Sequence, residues 1–177
     1  MPQGSGICFH HNSPISRAFI VSQRGDALEA AINGLKFNHV KGAARELAAL
    51  LHDYLPLLPR DVLLVPIPTV RSHIRQRGYD QVELIARQVA YQRGLPLERL
   101  LRRVTSTTQH RVSRRERQAQ AAEAFTLRDD VDLQGKTVLL LDDIVTTGST
   151  FSAAAKLLQE AGATVWAAAL AYQPFEK

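Results

Sequence analysis

The chain has 177 residues, 45% of them hydrophobic, a formal net charge of +5 and a pI near 9.7. That length and apolar content suit one globular domain with its own core and leave no room for a second of full size. The basic balance favours polyanions as partners, whether nucleic acid, phosphorylated metabolite or anionic membrane, without choosing among them.

A single cysteine, Cys8, excludes an intramolecular disulfide framework and suits a reducing compartment. No apolar run approaches the roughly 20 residues that cross a bilayer. No basic stretch followed by an apolar core opens the chain, so the expected location is the cytoplasm.

Residues 1–16 lack periodicity and read as an irregular lead-in. Cys8, His10 and His11 invite a zinc reading, but adjacent histidines are too close for a regular tetrahedral site without further ligands. Phe19, Ile20 and Val21 predict a short strand within Arg17–Ser22. Leu28, Ala31, Ile32 and Leu35 fall on one helix face, and Leu47, Leu50, Leu51 and Tyr54 repeat that spacing ahead of Pro56. Asp61–Pro68 is a continuous apolar run that suits a strand buried on both faces. Pro68–Gln76 then reads as a basic loop.

Val82, Ile85, Ala86 and Val89 predict a helix that stops at Gly94, and Leu97–Arg103 a short element. Thr105–Ala122 is polar and arginine-rich, with little to bury. Ala124–Leu127, Thr137–Leu141 and Thr164–Tyr172 read as strands, the last two separated by a helix through Ala154, Leu157, Leu158 and Ala161 that Gly162 ends. Strands alternating with helices predict an α/β fold with a mostly parallel sheet flanked by helices.

The richest stretch is Val138–Thr150, VLLLDDIVTTGST. An apolar strand delivers Asp142 and Asp143 to its carboxyl end, where open α/β sheets place their ligands. Thr146, Thr147, Gly148, Ser149 and Thr150 follow and lead straight into a helix. Gly148 allows positive φ, the hydroxyls add donors, and the helix start supplies amides and a positive dipole end. The pattern predicts a phosphate pocket with two carboxylates beside it, placed to accept hydrogen bonds from vicinal sugar hydroxyls. Helix capping by Ser149 does not by itself require paired acids, paired threonines and a glycine in one run. The strand also looks like a Walker B segment, but no G-x-x-x-x-G-K-[ST] string exists upstream.

Asp142–Thr150, DDIVTTGST, resembles the PRPP-binding signature of type I phosphoribosyltransferases (PRPP being 5-phosphoribosyl-1-pyrophosphate). Val65–Pro68 with Arg77-Gly78-Tyr79-Asp80-Gln81 resembles the "VPVP…RGFNQ" segment of the ComF/GntX-type members, which are linked to DNA uptake and competence. Thr108-Gln109, Arg114–Arg117 and Ala124-Phe125 resemble their "Q…R…ER…aF" stretch, and Gly34–Phe37 their "lKf" segment. Two features depart from the pattern. The four-cysteine zinc module of many members is represented only by Cys8, and Asp80 stands where an Asn is usual.

The resemblance implies a phosphoribosyltransferase-like domain over 17–177, with a small hood-like N-terminal part over 17–58. It assigns Asp142 and Asp143 to the ribose hydroxyls and Thr146–Thr150 to the 5-phosphate. Thr69, Arg71, Ser72 and Arg75 become pyrophosphate donors, and Gln109, Arg114, Arg115 and Arg117 belong to a flexible loop that closes over the ligand.

The implied reaction transfers a phosphoribosyl group to a nitrogenous acceptor with release of pyrophosphate. Mg²⁺ is carried by the ligand, with Asp142 and Asp143 as candidate metal contacts. A non-catalytic accessory of DNA uptake is the alternative. The implied partners are PRPP or ribose 5-phosphate, with single-stranded DNA, competence proteins or a second copy of the chain as further candidates.

Overall fold

The computed structural model describes residues 13–23, 25–37, 41–104, 124–128 and 131–173. Its strands are β1 (Arg17–Gln23), β2 (Leu63–Pro66), β3 (Leu101–Arg103), β4 (Phe125–Leu127), β5 (Thr137–Val145) and β6 (Thr164–Tyr172). The helices are α1 (Asp26–Phe37), α2 (Ala43–Tyr54), α3 (Arg71–Arg77), α4 (Gln81–Arg93) and α5 (Ser149–Glu160). Four strands form a sheet in the order β1-β6-β5-β2, with every neighbouring pair parallel. β3 and β4 form a separate antiparallel ribbon.

Side-chain alternation along β5 divides the core. Leu139 and Leu141 enter a cluster with Ile32 and Leu35 of α1, Leu47 and Leu51 of α2, and Ile85 and Val89 of α4. Val138 and Leu140 turn to the other face, against Phe151, Ala154 and Leu158 of α5 and against Leu101 and Phe125 of the ribbon. With both faces covered, the strand has no use for polar alternation, which is why it reads as an unbroken apolar run. β6 obeys the same constraint with alanines. Ala167–Ala169 are helix formers by propensity, yet they are buried between β1 and β5, and tertiary packing overrides the preference.

Two elements depart from the sequence expectation. β5 runs past Leu141 to Val145, because Asp142, Ile144 and Val145 keep parallel partners in Ala169, Ala171 and Tyr172. Arg71–Arg77 is a short helix rather than a loop, ended by Gly78 at φ 79°. It has no buried residue, so no apolar stripe announced it. Among the described residues, no helix is long and apolar enough to cross a membrane.

The last carbonyls of α2 are satisfied from outside the helix. Arg93, at the end of α4, donates to the carbonyl oxygens of His52, Leu55 and Pro56, the last at 2.8 Å. A guanidinium placed there supplies donors and opposes the negative end of the helix dipole. Arg93→Met should therefore lower the unfolding free energy by about 2 kcal/mol, with an unchanged urea m-value. A denaturation curve that superimposes on the wild type would show that solvent replaces these contacts without cost.

Candidate functional site

β5 carries the acid pair to the carboxyl edge of the sheet, and the chain turns through Thr146–Gly148 into α5. Gly148 has φ 75°, a left-handed conformation that glycine adopts without a Cβ penalty, and it stands at the N-cap of α5. Thr146 and Thr147 are exposed, whereas Ser149 and Thr150 are half-buried. The Thr147 and Ser149 hydroxyls lie 2.9 Å apart, so they share one side of the turn. The first-turn amides of any helix lack intrahelical acceptors and carry the positive end of its dipole. This arrangement suits a phosphate dianion.

The two carboxylates sit in different surroundings. Asp143 is buried, and its Oδ2 accepts from Lys36 Nζ at 2.7 Å and from Gln81 Nε2 at 3.2 Å. Gln81 is itself oriented by Arg77, whose Nη1 donates to Gln81 Oε1 at 2.9 Å. Asp142 Oδ1 accepts the Asp143 amide at 2.8 Å. Burial first, and the adjacent Asp143 charge second, push the Asp142 carboxyl up to about 8. The Asp143 amide and Lys36 oppose that rise, and Asp80 adds to it. Burial holds the Arg103 guanidinium below its ordinary range, and the nearby Asp142 charge opposes that fall. Arg103 also lies 5.1 Å over the Phe125 ring and reaches the Pro68 carbonyl at 3.5 Å.

The Arg77–Gln81 turn joins these parts. Tyr79 donates its hydroxyl to the Leu35 carbonyl, and the Arg77 guanidinium lies 5.3 Å over the Phe37 ring. Asp80 works at two places. Its Oδ1 accepts from the Val82 and Glu83 amides at 3.0 and 3.3 Å, which caps α4, and from the Thr69 hydroxyl at 2.8 Å. Its Oδ2 takes the Thr69 amide at 3.0 Å. Thr69 thus directs both donors inward to Asp80.

Arg71, Ser72 and Arg75 are exposed on α3, while His73 and Arg77 of the same helix are half-buried. Burial, then the charges of Arg77, Lys36 and Arg103, hold the His73 imidazole below its ordinary range. These three cations therefore surround His73; Lys36 and Arg103 also act on the acid pair, and Arg77 reaches it through Gln81. In the sequence Lys36, Arg77 and Gln81 stand within motifs that give them no role, and neither His73 nor Arg103 carries a signal of its own. Gln109, Arg114, Arg115 and Arg117 lie outside the described residues, as do Cys8, His10 and His11. Among the described residues, no three of His, Cys, Asp and Glu gather as a metal site would require.

The raised Asp142 carboxyl has a sign that can be checked. Above its unfolded value it binds a proton in the folded state that the unfolded chain has already lost, so it withdraws stability as pH climbs from about 4 towards 8. Asp142→Asn mimics the protonated acid. This variant should match the wild type in stability near pH 4 and exceed it above pH 8, read from urea midpoints at each pH. Equal midpoints at the alkaline end would mean that the carboxylate is not strained.

Residues 74–176 match the phosphoribosyl transferase domain family. The chain is 33% identical over 174 residues to the DNA utilization protein YhgH of Salmonella typhi, covering 91% of this chain and 75% of that protein. It is 30% identical over 173 residues to competence protein F of Haemophilus influenzae, covering 90% and 74%. A crystal structure of an adenine phosphoribosyltransferase superimposes with a TM-score of 0.49 and 15% identity, covering 80% of this chain and 74% of that one. With its acid pair and glycine turn at the carboxyl edge of a parallel sheet, the chain belongs to the phosphoribosyl transferase domain family, as a ComF-type member.

Proposed function

We propose that this chain binds PRPP across the carboxyl edge of its sheet and transfers the phosphoribosyl group to a nitrogenous acceptor. The observation that carries the reading is the run of β5 through Asp142 and Asp143 into the Gly148 turn and α5. In this reading Thr146–Thr150 take the 5-phosphate, and the two acids take the ribose hydroxyls. Arg71, Ser72 and Arg75 face the pyrophosphate from α3, with Thr69 fixing the start of that segment through Asp80. Residues 17–58 contribute the hood-like part, including α1 and α2. The bond from C1 to the pyrophosphate oxygen breaks, the bond from C1 to nitrogen forms, and the acceptor nitrogen gives up its proton. Catalysis rests on positioning and on cations that neutralise the leaving group.

Mg²⁺ fits this site as an ion that the ligand brings. Asp143 is already occupied by Lys36 and Gln81, so the protein offers no ready-made cage. When bound, such an ion neutralises charge on the departing pyrophosphate. The protein's own residues orient the ribose, hold the 5-phosphate and set the charge around them.

Gly148 provides the direct test. A β-branched residue at φ 75° is strained, so it would force the turn out of this conformation. Gly148→Val should weaken PRPP binding by about a hundredfold or more in calorimetry, as expected for losing several charge-assisted contacts. Undiminished affinity in a folded variant would remove the phosphate loop from the site.

A second reading follows from the names of the relatives, one a DNA utilization protein and the other a competence protein. Here the same fold serves DNA handling, and the arginine-rich stretch meets nucleic acid. Replacing Arg114, Arg115 and Arg117 together with Gln separates the two. A closing loop predicts lost affinity for PRPP with little change for ribose 5-phosphate. A DNA face predicts unchanged PRPP affinity and a salt dependence of single-stranded DNA binding that is flatter by about 0.7 per lost phosphate contact. The second pattern would reverse the ranking.

A further inference from the structure

We propose that Lys36 is a positioning residue of the ribose-phosphate site, an ammonium on α1 that holds Asp143 in place beside Asp142 for the ligand. The inference rests on the ribose-phosphate reading above and assigns a role to a residue from the N-terminal part of the chain.

Lysine in the last turn of a helix ordinarily points to water, where it complements the helix dipole. Lys36 instead has a side chain only 15% exposed, and its Nζ stands 2.7 Å from Asp143 Oδ2. Burying an ammonium is costly unless a partner offsets the lost hydration. Here the partner is one member of an acid pair, with Gln81 donating to the same oxygen.

The end of α1 is fixed on either side of Lys36. Tyr79 holds the Leu35 carbonyl, Arg77 lies over Phe37, and Arg77 also orients Gln81. Lys36 therefore meets Asp143 from a backbone that the Arg77–Gln81 turn has already set. Two other charged groups act on the pair, Asp80 before α4 and Arg103 on β3, while Arg77 of α3 reaches it through Gln81 and, with Lys36 and Arg103, faces His73. Of the cations, Lys36 is the one in direct contact with an acid of the pair.

A staple that merely stabilised the fold would affect every ligand alike. A positioning role predicts selectivity, because inorganic phosphate needs only the Thr146–Thr150 loop whereas ribose 5-phosphate also needs the acids. The experiment titrates both ligands by NMR into the wild type, Lys36→Met, Lys36→Arg and Asp143→Asn.

Lys36→Met should weaken ribose 5-phosphate about tenfold or more, the scale of one charge-assisted contact, and leave inorganic phosphate within about twofold. Lys36→Arg should recover part of the loss. Asp143→Asn breaks the pair without placing a new apolar chain in the site, and it should reproduce the selective loss even where Lys36→Met folds poorly. Unchanged ribose 5-phosphate affinity in Asp143→Asn or in a folded Lys36→Met would overturn the inference. So would equal losses for both ligands, or an arginine variant no better than the methionine. A wild type that does not bind ribose 5-phosphate would instead remove the parent reading, and the inference with it.

Discussion

Adjacent carboxylates at the end of a buried strand are costly, because like charges repel and both lose contact with water. Much of the surrounding structure can be understood as the answer to that constraint. β5 brings Asp142 and Asp143 to the sheet edge, and cations then converge on them from separate parts of the chain. Lys36 comes from α1 and Arg103 from the β3–β4 ribbon, while Arg77 of α3 reaches Asp143 through Gln81. Each of those elements is held by its own packing. α1 lies over one face of the sheet through Ile32 and Leu35, and the ribbon lies on the other face through Leu101 and Phe125. The acid pair is where these two halves of the core meet electrically.

The balance is unequal, and the inequality suits a binding site. Asp143 has a direct ammonium and an amide donor, so its geometry is set before any ligand arrives. Asp142 has no ion pair within contact distance among the described residues, and its carboxyl is raised to about 8. Such a group is poised to change its proton occupancy when donors or cations come near it. One acid is a fixture and the other responds.

The parts of this arrangement visible in the sequence are those that lie close together along it. The apolar run from Val138, the acids, the Gly148 turn and the start of α5 occupy thirteen consecutive residues, so strand, turn and helix chemistry could be read as one motif. The buried strands announced themselves as apolar runs, and α1, α2 and α4 as periodic faces. What stayed hidden was tertiary. Nothing near Lys36 says that it will meet a carboxylate 107 positions away. The helix Arg71–Arg77 escaped because it buries nothing and so has no stripe. The extension of β5 to Val145 escaped for a different reason. Two acids interrupt the apolar run, and only pairing with Ala169–Tyr172 keeps the backbone extended through them.

Asp80 shows how a departure from a family pattern can be absorbed. Asparagine offers one acceptor oxygen, which is enough to cap α4. Aspartate offers two, and here the second takes the Thr69 amide while the first takes the Thr69 hydroxyl along with the cap. An Asn amide nitrogen at that second position would face a donor with a donor. The substitution therefore ties the exit of β2 to the start of α4 more firmly than asparagine could, and it does so immediately before Gln81. Rigidity at that turn is passed through Gln81 to Asp143, so Asp80 helps to set the geometry of the acid pair.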